Sequence, residues 1–217
     1  MIVQTTDAQA WWISIQDEIR PVRGLDTTAA LAEVKAAFNF PAGPLFKEGS
    51  GTEFTNGLFR DARTSIVITK IALYSDGIST HVPSDTRNSE IVLQAALKIF
   101  QSFGVREPVT PPLHYYLSTI VADFETSLDA IFPISLLKKI GAAYPVEGDA
   151  QFSSVAINID KTKIAGRVGP LNPTTFTISR RLDIPYEQNR YFSQANATTE
   201  KHLELLEEVE RWARKSK

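Results

Sequence analysis

The sequence predicts an α+β fold built on a mainly antiparallel β-sheet. Three observations lead there. Residues 65–82 read as strand, tight turn, strand. Residues 85–103 read as a helix apolar around most of its circumference. Nowhere does the chain show the regular strand–helix alternation that marks a parallel sheet.

Ser65 to Tyr74 is rich in β-branched residues and apolar on both faces, so it is expected inside the sheet and at least partly covered on both sides. Asp76-Gly77 suits a type I′ hairpin turn. Ile78, Thr80 and Val82 then share one face while Ser79 and His81 share the other, and Pro83 ends the strand. Ser84, Asp85 and Thr86 are all able to cap the next helix, and Gly104 is suited to close it in the left-handed conformation. A helix this apolar must be largely buried.

Upstream, the aromatic and β-branched run at Trp11–Ile15 favours a strand. Thr27–Phe38 reads as an Ala-rich helix with Leu31, Val34 and Phe38 inward. Residues 39–51 read as a loop, and Asn56-Gly57 as the turn of a short hairpin. Downstream, a Pro-rich connection over 105–112 is a soft boundary in what otherwise reads as one domain over 1–217. Leu113–Phe124 is a second long strand. Pro133 opens a short helix with Ile134, Leu136, Leu137 and Ile140 apolar. Residues 152–168 read as a hairpin, and Thr174–Arg181 as a strand at whose end Arg180 can reach solvent. Asp183–Thr199 shows no clear period and reads as a long irregular segment. A helix over about 199–215 closes the chain, with Leu203, Leu206, Val209 and Ala213 inward and Glu207–Arg211 and Glu210–Arg214 as ion pairs one turn apart. No internal repeat is evident.

Composition excludes several classes. The chain has 217 residues, 43% hydrophobic and 22% charged, as in ordinary globular proteins. It has no run apolar enough for a membrane span and no basic start leading into an apolar core, so neither a membrane protein nor a signal peptide is expected. With no cysteine it has no disulfide, thiolate metal site or cysteine nucleophile, which fits a cytoplasmic location. The net charge of −2 is unevenly spread: 12 basic against 17 acidic residues over 1–150, but six basic against three acidic over 151–199.

Candidate chemistry follows from a few clusters. Lys47–Thr52 has the composition of a phosphate loop but in the wrong order, and no dinucleotide-binding or nucleophile-elbow motif occurs. No motif requires a cofactor. His81 and His114, with Asp123 and Glu125, are the candidate metal or acid–base set. The two carboxylates share a face of the Leu113–Phe124 strand. Arg167, Arg180, Arg181 and Arg190, with Tyr186 and Tyr191 alongside, are the candidate ligand-binding set, since guanidinium forks suit phosphate and aromatic rings stack on bases. The segment's modest charge argues against long duplex DNA.

The favoured expectation is a non-enzymatic binding or assembly protein, joined to further copies of itself or to a protein partner. The alternatives are an anionic-ligand or nucleic-acid binder using the arginines, and a metal-dependent enzyme using the histidines and carboxylates.

Overall fold

A computed structural model describes residues 1–19, 27–47, 51–143, 150–158 and 175–216. The fold is α+β. One sheet of nine antiparallel strands runs in the order β2-β3-β4-β5-β1-β6-β9-β8-β7. The strands are β1 (Ile2–Ile13), β2 (Leu45–Lys47), β3 (Gly51–Arg60), β4 (Ser65–Leu73), β5 (Gly77–Val82), β6 (Leu113–Asp123), β7 (Ser154–Asn158), β8 (Thr175–Arg180) and β9 (Arg190–Ala195). The helices are α1 (Gln16–Ile19), α2 (Thr27–Ala37), α3 (Thr86–Ser102), α4 (Ile134–Ala142) and α5 (Thr199–Lys215).

The two long helices form as their sequences dictate. Asp85 caps α3 by accepting from the amide of Asn88. At the other end the Gly104 amide donates to Gln101 and the Val105 amide to Phe100, with Gly104 at φ 99°, so the last carbonyls are satisfied by a left-handed closure. Thr198 caps α5 through the Lys201 amide. Of the two ion pairs expected on α5, Glu210–Arg214 forms at 3.2 Å, while Arg211 turns to Glu208 instead of Glu207. Both helices lie across the same sheet face: Ser89 of α3 bonds Thr80 of β5, and His202 of α5 bonds Ser193 of β9.

Several local expectations need correction. Asn56 takes φ 60°, as an Asn-Gly pair favours, but the chain does not reverse there. It flips the faces of a continuous β3, so that Phe54 and Phe59, five positions apart, both reach the Phe38–Phe40 pair. Gly57 sits where a Cβ would lie 2.4 Å from the Phe40 ring. β4 flips in step, with Ile66, Ile68 and Ile71 all buried while Val67 is 57% exposed, so its cover is one-sided at the start. The β4–β5 hairpin exists, but its tip is Ser75-Asp76, and neither Asp76 nor Gly77 is among the positive-φ residues. The 39–51 loop contains β2. Pro133 precedes α4 as its cap residue rather than opening it. Of the 152–168 hairpin only the strand β7 is seen; residues 159–168 lie outside the described ones.

The largest correction concerns 183–199. Its centre is β9, an interior strand paired with β6 on one side and β8 on the other. Burial alternates along it, with Tyr191, Ser193 and Ala195 inward. Hydropathy does not alternate, because two of the three inward residues are small.

The order of elements also contains a repeat. With β2 set aside, which has no counterpart among the described residues, β1-α1-α2-β3-β4-β5-α3 is followed by β6, a 3-10 turn over Leu128–Ile131, α4, β7, β8, a 3-10 turn over Tyr186–Gln188, β9 and α5. In the sheet the halves read β3-β4-β5-β1 and, mirrored in order, β6-β9-β8-β7, with β1 antiparallel to β6 at the junction. Half a turn about the sheet normal therefore exchanges them in topology. The positions correspond residue by residue in the core. Thr86 and Thr199, 113 residues apart, open α3 and α5, and each hydroxyl accepts from the other's amide, at 3.0 and 2.9 Å. The same offset relates Thr80 to Ser193 and Ser89 to His202, the strand–helix contacts given above. Along α3 and α5 only Thr86/Thr199 and Leu93/Leu206 are identical, which is why the sequence hides the repeat.

Each half has its own core. One gathers Ala30, Leu31, Val34, Phe38, Ile68, Leu93 and Phe100, and the other Ile120, Leu128, Phe152, Ile178, Tyr191 and Leu206. His202 lies fully buried beneath α5. The Ser193 hydroxyl donates to the Thr177 carbonyl, so the His202 Nε2–H must be the donor in the 2.8 Å contact with Ser193. Burial drives the His202 pKa down to about 4, against a weaker pull upward from the Ser118 backbone. The unfolded chain then takes up a proton near pH 6.5 that the folded chain refuses until about pH 4. Stability is therefore full above pH 6.5 and falls through that window, by about 3 kcal/mol at most. Urea titrations at pH 7 and pH 4.5 should show this acid loss shrinking in His202→Gln; an unchanged loss would place it on other groups.

Candidate functional site

The sheet's second face carries no helix among the described residues. Its centre is set by register. Lys70, His81, Gln9 and Leu117 stand side by side across β4, β5, β1 and β6, and Ala72, Ser79, Trp11 and Tyr115 form the next row. Trp11 is stacked between Tyr74 and Tyr115, with ring centres 5.6 and 5.7 Å away. Beyond this centre the face continues with Thr119, Val121, Phe192, Gln194 and Thr177.

A chain of polar contacts crosses the centre. The Trp11 indole donates to Gln9 at 2.8 Å, and the Gln9 amide donates to Asp7 at 2.5 Å. Asp7 lies 3.7 Å from His81 Nδ1, and His81 Nε2 lies 3.3 Å from the Ser79 hydroxyl. Lys70 stands 3.8 Å from Glu53. Burial pushes the Asp7 carboxyl up, but hydrogen bonds from His81 and Gln9 and the nearby positive charges outweigh it and hold Asp7 below the usual carboxylate range.

Ser79, His81 and Asp7 thus occur in the order of a nucleophile, base and orienting acid. Access decides against that chemistry. Ser79 is 0% exposed, so no substrate carbonyl can reach its oxygen. Backbone amides in this row are committed to the β-ladder and offer no oxyanion hole. The arrangement satisfies buried polar groups on a sheet face.

The structure separates the metal candidates. His81 and His114 lie on β5 and β6 with β1 between them, and His114 is on the helix-bearing face, bound to Glu90 at 2.7 Å. Glu90 is pushed up by burial but held lower overall by that bond. Asp123 faces Arg190, which grips both its oxygens at 2.5 and 2.8 Å and lowers its pKa. Glu125 stands apart, 3.0 Å from Arg214. Among the described residues, no group of three or more His, Asp or Glu side chains could hold a metal ion.

The arginine candidates are also divided. Arg180 does not reach solvent; it is 5% exposed and serves the second core. Arg181 pairs with Asp183 at 2.6 Å, which lowers the Asp183 carboxyl to about 2. Arg190 is tied to Asp123, and the Arg181 amide donates to the Arg190 carbonyl. The Arg180 guanidinium carbon lies over the Tyr186 and Tyr191 rings, 4.6 and 5.0 Å from their centres; Tyr191 is fully buried, so its ring is closed to a base. Arg167 lies outside the described residues. Each described arginine of the set therefore has its charge answered inside the fold.

Sequence reading missed this second face itself. Its residues are scattered over six strands, and only the pairing of β1, β4 and β5 brings Asp7, Gln9, Trp11, Lys70 and His81 together. Depressions elsewhere include the following two. A cavity of about 540 Å³ lined by Trp12, Leu31, Ile78, Leu97 and Phe100 lies beside α2 and α3. A groove between the N-termini of α3 and α5 is lined by Asp85, Glu90, Glu204 and Glu207. No family model matches the chain, and no curated protein is detectably similar to it.

Proposed function

We propose that this protein is a non-enzymatic binding or assembly protein and that it works through the helix-free face of its sheet. One observation carries the reading: α3 and α5 both cover a single face, while the opposite face, buried at its centre around the Trp11 stack, presents Leu117, Val121 and Phe192 beside and beyond that stack, each partly exposed. Apolar positions left partly exposed on a sheet face are stabilised by a second layer about 10 Å away. A second copy of the chain, packed face to face, supplies one with matching chemistry. No helix among the described residues is long and apolar enough to cross a membrane, so a lipid-spanning role through a helix finds no support.

The test is light scattering after size exclusion, with native mass spectrometry on the same samples. The wild type is expected as a complex, and Phe192→Lys and Leu117→Lys as folded monomers, since lysine on an open face can carry its charge to water. A strictly monomeric wild type, or variants that assemble as well as it does, would overturn the reading.

A further inference from the structure

The two halves clothe their long helices unequally. In the first, α2 packs on α3 with Ala30, Leu31 and Val34 buried, in one cluster with Val92, which is 0% exposed. The residues of α5 corresponding to Val92 and Ile99 are Leu205 and Trp212, and these are 45% and 57% exposed. The element corresponding to α2 is α4. It has no buried residue, and Ile134, Leu136 and Ile140 are 71%, 43% and 41% exposed. Two apolar surfaces that meet in one half stand apart in the other.

We propose that α4 closes over Leu205 and Trp212 of α5, giving the second half the helix-on-helix packing of the first. The tether favours the chain's own helix over another copy's. The 3-10 turn Leu128–Ile131 packs against α5, and α4 begins only at Ile134, so its start is held beside its target and closure is an intramolecular event. Charge is complementary as well. Lys138 and Lys139 project from α4, and Glu208 lies between Leu205 and Trp212 on the outward stripe of α5, with Glu204 a turn before it. The chain between the turn and α4, Phe132-Pro133, is where the backbone has to rotate. Closure withdraws both apolar surfaces from water, and opening presents them.

The absence of cysteine makes the test direct. Leu137→Cys with Leu205→Cys places one thiol on the apolar side of α4 and one on the exposed stripe of α5. Ser135→Cys with Leu205→Cys places the first thiol on the opposite side of α4. Under an added oxidant, the first pair is expected to form a bond within one chain at least tenfold faster than the second, read by mass spectrometry of the intact monomer. In the otherwise unmodified chain, Ile140→Asp is expected to shift the total tryptophan emission toward that of solvent-exposed tryptophan, the change arising from Trp212, since Trp11 and Trp12 belong to the first half. Equal rates for the two cysteine pairs, bonds formed only between chains, or tryptophan emission indifferent to Ile140→Asp would each overturn the proposal.

Discussion

Replacing Arg180 by methionine should cost about 3 kcal/mol of stability. The guanidinium is spent entirely inside the protein. Its Nε donates to the Phe152 carbonyl at 3.2 Å, one terminal nitrogen to the Tyr186 carbonyl at 3.0 Å, and the other to Ser127 at 2.8 Å and Asp129 at 3.0 Å. Asp129 also accepts from the Phe152 amide, so one cation ties the 3-10 turn, the approach to β7 and the loop before β9 to the end of β8. Methionine matches much of the length but leaves these acceptors unpaired. Since Asp129 keeps 27% of its side-chain exposure, the low end of the range for breaking a buried pair applies. Urea unfolding should show a lower midpoint at unchanged slope, and hydrogen exchange should rise first in β8 and β9. Arg180→Lys should recover little, because an ammonium cannot span the fork. A midpoint within about 1 kcal/mol of wild type for Arg180→Met would show that the network is not what holds these segments.

Gly77→Ala should cost a similar amount, about 3 kcal/mol, for a purely steric reason. A Cβ on Gly77 would lie 2.3 Å from the Trp12 carbonyl oxygen and 3.0 Å from the Ile13 Cα, both backbone, so neither neighbour can yield without opening the β1–β5 pairing. A hairpin-turn role and this close-approach role make different predictions for Gly77→Asn. Asparagine tolerates a left-handed turn position and would be mild there; against the Trp12 carbonyl it should be as harmful as alanine. Gly43→Ala, with nothing within 4 Å of the added carbon, is the control expected within about 0.5 kcal/mol of wild type. Thermal melts of the three variants settle the matter: a mild Gly77→Asn beside a severe Gly77→Ala would return the residue to the turn.

These two residues show what local pattern conveys. Gly77 was legible as a position that needs glycine, yet for the wrong cause, because the Trp12 carbonyl it must admit is 65 positions away in the chain. Arg180 was legible as a cation at a strand end, but its partners come from three separate loops. Likewise Asp123 read as a potential acid or metal ligand until β6 and β9 paired and set Arg190 opposite it.

By itself the sequence determined the fold class, the long strands at 65–73 and 113–123, α2, α3 and α5, a cap for α3 within Ser84–Thr86, and the left-handed closure at Gly104. These depend on periodicity and on backbone chemistry within a few residues, so neighbours in the chain carry the whole signal. Only the tertiary structure decided that 190–195 is an interior strand, that the chain is built as two corresponding halves, and which polar side chains share the second sheet face. Strand pairing joins residues more than a hundred positions apart, and inward positions such as Ser193 and Ala195 are chosen to fit beneath a helix rather than to be hydrophobic. Similarity of fold between the halves rests on that fit, which many side chains satisfy, and so it leaves almost no trace in the order of residues.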